Sequence, residues 1–145
     1  MLALLLAAAA PAAQAPTIGT VRMHLFLEET GKLSPNIAPP AEFTGWNTII
    51  GEGSAPEAAN DLLVVVEVRN GGGEANLTQP LIVVARGPKG KLLGQRRYTN
   101  LLSSGEGRVW KGLWLGDVGC AGHIEVTATI GRSTRKSAID LDCGE

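Results

Sequence analysis

The chain is short, almost neutral and rich in glycine. It has 145 residues, with 13 Lys and Arg against 14 Asp and Glu, a net charge of −1, and 19 Gly and 8 Pro. This length predicts one domain with one core, and the lack of net positive charge argues against nucleic acid as a partner. The charge is unevenly distributed along the chain. Residues 16–85 carry eight acidic and three basic side chains, whereas residues 86–145 carry six acidic and ten basic side chains.

The first fifteen residues have the features of an export signal. The apolar run from Leu2 to Ala10 is too short to span a bilayer, and Ala13-Gln14-Ala15 is a possible cleavage site. Against this, no Lys or Arg precedes the run and Pro16 would follow the cut, so an apolar tail on a cytosolic protein is the alternative. We predict a signal peptide over 1–15 and a mature domain over 16–145 that is periplasmic or secreted and has no membrane span.

Period-two alternation of apolar residues predicts short strands along most of the chain. A further strand candidate lies around Trp46–Ile50, and the S-x-x-E pattern of Ser54 to Glu57 predicts one helical turn near residues 55–60. Gly, Pro and Asn turns separate these segments. The other predicted strands before the last hairpin are Thr20 to Glu28, Asp61 to Asn70, Leu81 to Arg86, Lys91 to Tyr98 and Val109 to Leu115.

The chain ends in a predicted antiparallel hairpin that contains both cysteines. If Cys120 lies opposite Cys143, Ile124 faces Ile139 and Gly131-Arg132 forms a two-residue turn of type II′. In an exported chain, two cysteines at this separation are most simply a disulfide that closes the hairpin. The loop-entropy relation gives such a bond a stabilisation of roughly 3 kcal/mol.

Seven or eight short strands with turns every 8–12 residues predict an all-β antiparallel sandwich. Four segments carry a resemblance to a known family: VRNGGGEA, LIVVARGPKGKLLGQRR, LLSSGEGRVWKGLWL and GHIEVTATI. Over about residues 61–141 the chain resembles bacterial immunoglobulin-like domains of the cell-adhesion-related type. The resemblance implies an Ig-like or fibronectin-like sandwich without intrinsic catalysis. The cysteine pair and the N-terminal third depart from that family, and the N-terminal third is similar to small exported bacterial proteins.

The patterns for catalysis, metals and phosphate are weak. The histidines, His24 and His123, both occupy outward-facing strand positions, and a metal site would need a third ligand. The serines lie outside any G-x-S-x-G elbow, and the glycine clusters lack the strand–loop–helix context of a phosphate cradle. We therefore predict no catalytic residue, metal or cofactor.

Five basic residues fall within twelve positions that contain no acid: Arg86, Lys89, Lys91, Arg96 and Arg97. On a predicted hairpin they could meet an anionic envelope polymer, phospholipid headgroups or an acidic partner protein. The alternative is a solvated edge hairpin whose charges discourage edge-to-edge pairing.

The segment Val109 to Leu115 has two apolar faces. Trp110 and Trp114 share one face, which would suit stacking on a sugar ring or a partner's side chain if it is exposed. Val109, Leu113 and Leu115 share the other face. We favour buried tryptophans, because they supply most of the aromatic bulk available to a small core.

These observations favour a non-enzymatic exported domain that binds an envelope or extracellular protein or polymer. The contact candidates are the basic hairpin, exposed strand edges and Trp110 with Trp114. One alternative is a purely structural or accessory module with no specific ligand. The other is a small envelope hydrolase on a sandwich scaffold that acts on carbohydrate or peptide. A cleft that combines a histidine with a carboxylate would favour this alternative.

Overall fold

A computed structural model describes residues 14–144 as an all-β chain. Its two short 3-10 turns are Thr48–Ile50 and Pro88–Gly90. The strands are β1 Thr17–Phe26, β2 Asp61–Arg69, β3 Ala75–Leu77, β4 Leu81–Arg86, β5 Leu92–Tyr98, β6 Leu101–Ser103, β7 Arg108–Leu115, β8 Gly122–Ile130 and β9 Ser133–Leu141.

The strands form two main antiparallel sheets. One has three strands in the order β1-β2-β7, and the other has four in the order β5-β4-β8-β9. A small third sheet pairs β3 with β6. The inward side chains of both main sheets belong to one buried cluster, so the sheets pack face to face as a sandwich. The predicted all-β antiparallel class is confirmed.

Strict alternation builds the core of this sandwich. In β2, Leu62, Val64, Val66 and Val68 are fully buried, as the sequence pattern predicts. Residues of neighbouring strands that lie directly opposite share a face, so the alternation in one strand fixes the inner faces of both its partners. The other fully buried large residues include Met23, Leu25, Leu81, Leu101, Leu115, Ile124, Ile130 and Leu141.

The C-terminal hairpin has the predicted register. Ile124 lies opposite Ile139, and the pairing runs to Ile130 opposite Ser133. Gly131 has a φ of 55°, the positive value that a two-residue II′ turn needs at its first central position. Cys120 and Cys143 form a disulfide just beyond the open end of the hairpin, with their Cα atoms 5.2 Å apart.

Two local predictions between β1 and β2 are wrong. The strand expected around Trp46–Ile50 is a 3-10 turn over Thr48–Ile50, flanked by Asn47 and Gly51 at φ values of 47° and 77°. Such left-handed residues interrupt an extended strand. The helical turn expected near 55–60 is absent among the described residues. The carboxylate of Glu57 instead accepts hydrogen bonds from the backbone of residues 29 and 30.

The number of strands also differs from the seven or eight predicted. Nine occur among residues 14–144, because the short pair β3 and β6 was missed. Ser103, which lies outside every predicted strand, is fully buried. Its hydroxyl donates to Gly73 O at 2.6 Å and accepts from Ala75 N at 3.0 Å, and it thereby holds this small sheet together.

Loop segments cover two of the four edges of the main sheets. Residues 32–38 run beside β1, where Ser34 N donates to Leu25 O and Ile37 N donates to Met23 O. The chain near Gly45 runs beside the end of β9. Strand addition by a partner therefore has fewer free edges than the sequence suggests.

The predicted signal peptide lies almost entirely outside the described residues, which begin at Gln14. No helix within residues 14–144 is long and apolar enough to cross a membrane.

Candidate functional site: the tryptophan face

The tryptophans of β7 point out of the sandwich. Leu113 and Leu115 are 4% and 1% exposed, whereas Trp114 is 47% exposed and Trp110 is half-buried. The prediction that the tryptophans are buried is therefore wrong. The reason is the register: Leu113 lies opposite Val64 on the inner face, which leaves Trp114 on the outer face.

We use the name tryptophan face for the outward surface of the β1-β2-β7 sheet. Three strands contribute to it, and its apolar members lie in neighbouring register positions. Its residues are Arg22, His24 and Phe26 of β1, Leu63 and Val65 of β2, and Trp110 and Trp114 of β7.

Trp114 is held in place at one end of the tryptophan face. Its ring meets that of Phe26 edge to face, with centroids 5.5 Å apart, a favoured geometry for aromatic pairs. Its indole Nε1 donates to Asp61 Oδ2 at 3.2 Å, and Leu63 lies directly opposite it on β2. Nearly half of the side chain still meets solvent, so this ring presents a fixed apolar surface.

Trp110 occupies the other end of the tryptophan face, under an arginine. The guanidinium carbon of Arg22 lies 4.5 Å from the centroid of the Trp110 ring, within the range of a cation–π contact. Arg22 itself is exposed. Gly112 lies between the two tryptophans, directly opposite Val65 on β2. Because it has no side chain, the surface has a shallow depression there.

A buried carboxylate borders the tryptophan face. Glu67 lies opposite Trp110 on β2 and is 3% exposed. Its Oε1 accepts from Arg69 Nε at 2.6 Å and from the backbone N–H of Thr20 at 3.2 Å. Gly19 leaves the room that this carboxylate fills, since a Cβ there would collide with it. Glu67 therefore fixes the irregular part of β1 beside the tryptophan face.

The basic hairpin is not a single surface. Arg96 and Arg97 are neighbours in β5, so their side chains leave opposite sides of the sheet. Arg97 pairs with the outward Ile82, and Arg96 pairs with the buried Val83. All five basic residues of the run are exposed: Arg86, Lys89, Lys91, Arg96 and Arg97.

Two members of the run have local structural contacts. Arg86 Nη1 donates to Gly90 O at 3.0 Å and so supports the turn of the hairpin. Arg96 lies over the ring of Tyr98 at 4.6 Å, and Lys111 Nζ approaches the same ring at 5.3 Å. The Tyr98 hydroxyl donates to Gly112 O, which ties β5 to β7 across the gap between the sheets.

The histidines lie far apart in the topology. His24 Nδ1 is 2.8 Å from Ser34 O beside β1, and His123 Nδ1 is 2.7 Å from Asp140 Oδ1 on the last hairpin. Within the described part of the chain, no three His, Cys, Asp or Glu residues lie close enough together to hold a metal ion.

Sequence reasoning missed three members of this region. Arg22 and Phe26 alternate with the apolar residues of β1 and so belong to its outer side, but their nearness to the tryptophans depends on the order β1-β2-β7. Glu67 gave no sequence signal of burial, because its alternation predicts a solvated carboxylate. An arginine two positions later, on the same side of the strand, was the available hint.

Comparison with known proteins leaves the family open. No protein-family model matches the chain, and no curated protein sequence matches it. Among solved structures it is similar to two of β-glucosidase 3B from Thermotoga neapolitana, one in complex with α-D-glucose and one with glucose. For each, identity is 17% and the TM-score is 0.39. The match covers 57% of this chain and 14% of each of those chains.

Proposed function

We propose that this protein is a non-enzymatic exported binding domain that contacts an envelope or extracellular protein through the tryptophan face. The observation that carries the proposal is Trp114, which is 47% exposed while packed edge to face on Phe26. Tryptophan and arginine are enriched among the residues that dominate binding energy at protein interfaces. We also propose that the sandwich is of the immunoglobulin-like type that its turn motifs resemble.

The shape of the tryptophan face supports a protein partner. Its rings lie on a regular three-stranded sheet rather than in a deep pocket, and such a surface offers area instead of enclosure. Fixed side chains lose little conformational entropy on binding. Trp114 is fixed by Phe26 and Asp61, and Trp110 by Arg22. Both side chains are therefore preorganised for binding.

The basic hairpin is the weaker contact candidate. Arg96 and Arg97 face opposite sides of β5, and Arg86 is engaged with its own turn. An anionic polymer would meet these charges only in part. We therefore assign the primary contact to the tryptophan face and keep the hairpin as a source of long-range attraction.

A crosslinking experiment in the producing cells tests this assignment. A photoreactive amino acid is placed at Val65, between the two tryptophans, in one variant and at Leu102 in another, so that Trp114 itself is kept. Leu102 is 63% exposed on β6, outside the tryptophan face. We expect one protein partner to crosslink from position 65 and not from position 102. Equal labelling from both positions, or labelling of a polysaccharide alone, would contradict the proposal.

Purified components then measure the contribution of the ring. Loss of a central interface tryptophan typically costs at least about 2 kcal/mol, or roughly thirtyfold in affinity. We expect Trp114→Ala to weaken binding of the identified partner by about that factor, with Leu102→Ala near wild type. If Arg97→Glu abolishes binding and Trp114→Ala does not, the basic hairpin is the contact surface instead.

One observation favours a hydrolase as the second candidate. His123 Nδ1 lies 2.7 Å from Asp140 Oδ1, and Asp140 lines a cleft. A carboxylate that orients a histidine in this way is half of a general-base arrangement. Turnover of a glycoside or peptide substrate that is lost in His123→Asn, but kept in His24→Asn, would support this candidate.

A further inference from the structure

A cleft of about 380 Å³ lies where the loop before the 3-10 turn meets the end of β9. Its volume is within the range of small-ligand sites. We call it the loop cleft. Its lining is Ile37, Pro39, Ala41, Phe43, Thr44, Gly45, Trp46, Ala138, Ile139, Asp140 and Asp142.

The walls of the loop cleft are joined by backbone hydrogen bonds. Asp142 N donates to Gly45 O and Asn47 N donates to Asp142 O, both at 2.8 Å, so residues 45–47 extend the sheet beside β9. Gly45 is packed so closely that a Cβ would collide with the carbonyl of Asp140. The Cys120–Cys143 bond anchors the chain one residue beyond Asp142. The cleft is therefore preformed.

The side chains that line the loop cleft are apolar or anionic, apart from Thr44. Trp46 is 46% exposed, and Trp46 and Asp142 pair as a bridge, which brings ring and carboxylate to the same side. Asp140 contributes the second carboxylate, and His123 holds one of its oxygens at 2.7 Å. The described lining contains no Lys or Arg.

The basic residues nearest to Asp140 in the chain are Arg135 and Lys136, which line a neighbouring groove with Pro39 and Pro40. The segment from Leu33 to Val68, which supplies one wall, contains no Lys or Arg at all. On the other wall, Lys136 is the basic residue that shares the outward side of β9 with Asp140. Its ammonium is 3.4 Å from Glu125 Oε1 and so already has an anionic neighbour.

We propose that the loop cleft binds a cationic group, either an alkylammonium or a guanidinium. The ring of Trp46 packs against the cation, and Asp140 and Asp142 accept hydrogen bonds from it. Carboxylates form their strongest hydrogen bonds with charged N–H donors, and an indole ring attracts cations. An anionic ligand would be repelled.

This inference is independent of the proposed binding through the tryptophan face, because the two surfaces share no residue. Asp140 is shared only with the hydrolase candidate, so the effect of Asp140→Asn is measured as cation binding here and as turnover there.

Nuclear magnetic resonance titration of the intact protein tests the proposal. The probes are N-acetyl-lysine methylamide, N-acetyl-arginine methylamide and, as the anionic control, N-acetyl-glutamate methylamide. We expect the cationic probes to shift the Trp46 indole signal saturably and the Trp114 indole signal hardly at all. The absence of a saturable shift, or an equal shift with the glutamate probe, would overturn the proposal.

Isosteric variants separate a specific site from general attraction. Asp140→Asn and Asp142→Asn remove charge without changing volume, and each should weaken cation binding about tenfold. Glu125→Gln is the matched control, because Glu125 lies on the outward side of the same sheet but outside the described lining. An equal loss of affinity in all three variants would contradict a specific binding site.

The source of the cationic group is read from a second pair of probes. A free amine of the same charge, n-butylamine, is compared with the tripeptide acetyl-Gly-Lys-Gly-amide. Tighter binding of n-butylamine identifies small amines as the ligand class. Tighter binding of the peptide identifies a lysine or arginine side chain on a protein partner, with backbone contacts added to the same site.

Discussion

Glu67 accepts a hydrogen bond from the Nε of Arg69 at 2.6 Å, two positions further along the same strand. The two side chains differ sharply in environment: that of Glu67 is 4% exposed and that of Arg69 is 59% exposed. A carboxylate is costly to bury unless its oxygens are satisfied, and the Thr20 N–H supplies a further donor. The pair therefore fixes the start of β1 against β2 and holds one corner of the tryptophan face.

We expect Glu67→Ala to destabilise the protein by about 2–3 kcal/mol, because it leaves the Thr20 N–H without its acceptor and opens space beside Gly19. Glu125→Ala is the matched control. Glu125 is also a strand carboxylate with an ion pair, but that side chain is 46% exposed, and exposed pairs contribute about 1 kcal/mol or less. Urea unfolding followed by circular dichroism measures both. Equal costs would mean that Glu67 is not buried in solution.

The disulfide prediction concerns the end of the β8–β9 hairpin. The Cys120–Cys143 bond spans 23 positions, for which loop closure predicts about 3 kcal/mol of stabilisation. The Cys120→Ser/Cys143→Ser double variant should lose about that amount in denaturant unfolding. Native protein should not react with an alkylating reagent until it is reduced, and reaction without reduction would contradict the bond.

The sequence predicts the C-terminal half of the fold well because several signals agree there. The alternation in β8 and β9, the glycine at the turn and the two cysteines all specify one register, which places Ile124 opposite Ile139. In the stretch between β1 and β2 no such agreement exists. Asn47 adopts a left-handed conformation that its residue type permits but does not require.

The tryptophan face could not be predicted because it depends on sheet order. Both faces of β7 are apolar, and only pairing with β2 decides which one meets the core. Aromatic bulk favoured burial of the tryptophans, yet the aliphatic faces of both sheets already fill the core. The loop cleft was beyond prediction for a similar reason, since Trp46 and Asp142 are neighbours through a bridge between distant parts of the chain.

A glycine substitution tests the packing that forms the loop cleft. A Cβ at Gly45 would collide with the backbone of Asp140, whereas one at Gly105 meets nothing within 4 Å. We expect Gly45→Ala to cost about 1–3 kcal/mol, because the loop must move away from β9. Gly105→Ala should stay within about 0.5 kcal/mol of wild type. Similar stability for both variants would mean that the loop does not pack against β9.

Two adjacent residues of β7 test which face of the strand is buried. Leu115 is 1% exposed and Trp114 is 47% exposed, although they are consecutive in the chain. Leu115→Ala removes core packing and should cost about 3 kcal/mol or more. Trp114→Ala removes a larger side chain, but the lost contacts are mainly with Phe26 and Asp61 at the surface. We expect it to cost about 1 kcal/mol.

The test is which of the two variants, Leu115→Ala or Trp114→Ala, loses more stability, because residue size alone predicts a larger loss for the tryptophan. Thermal and urea unfolding of the two variants measure it directly. Acrylamide quenching of tryptophan fluorescence adds an independent reading, since an exposed ring is quenched readily. Trp114→Ala should remove about half of the readily quenched signal and leave that of Trp46, which is 46% exposed. If Trp114→Ala is the more damaging change, the tryptophans lie in the core. The tryptophan face would then not exist as a binding surface.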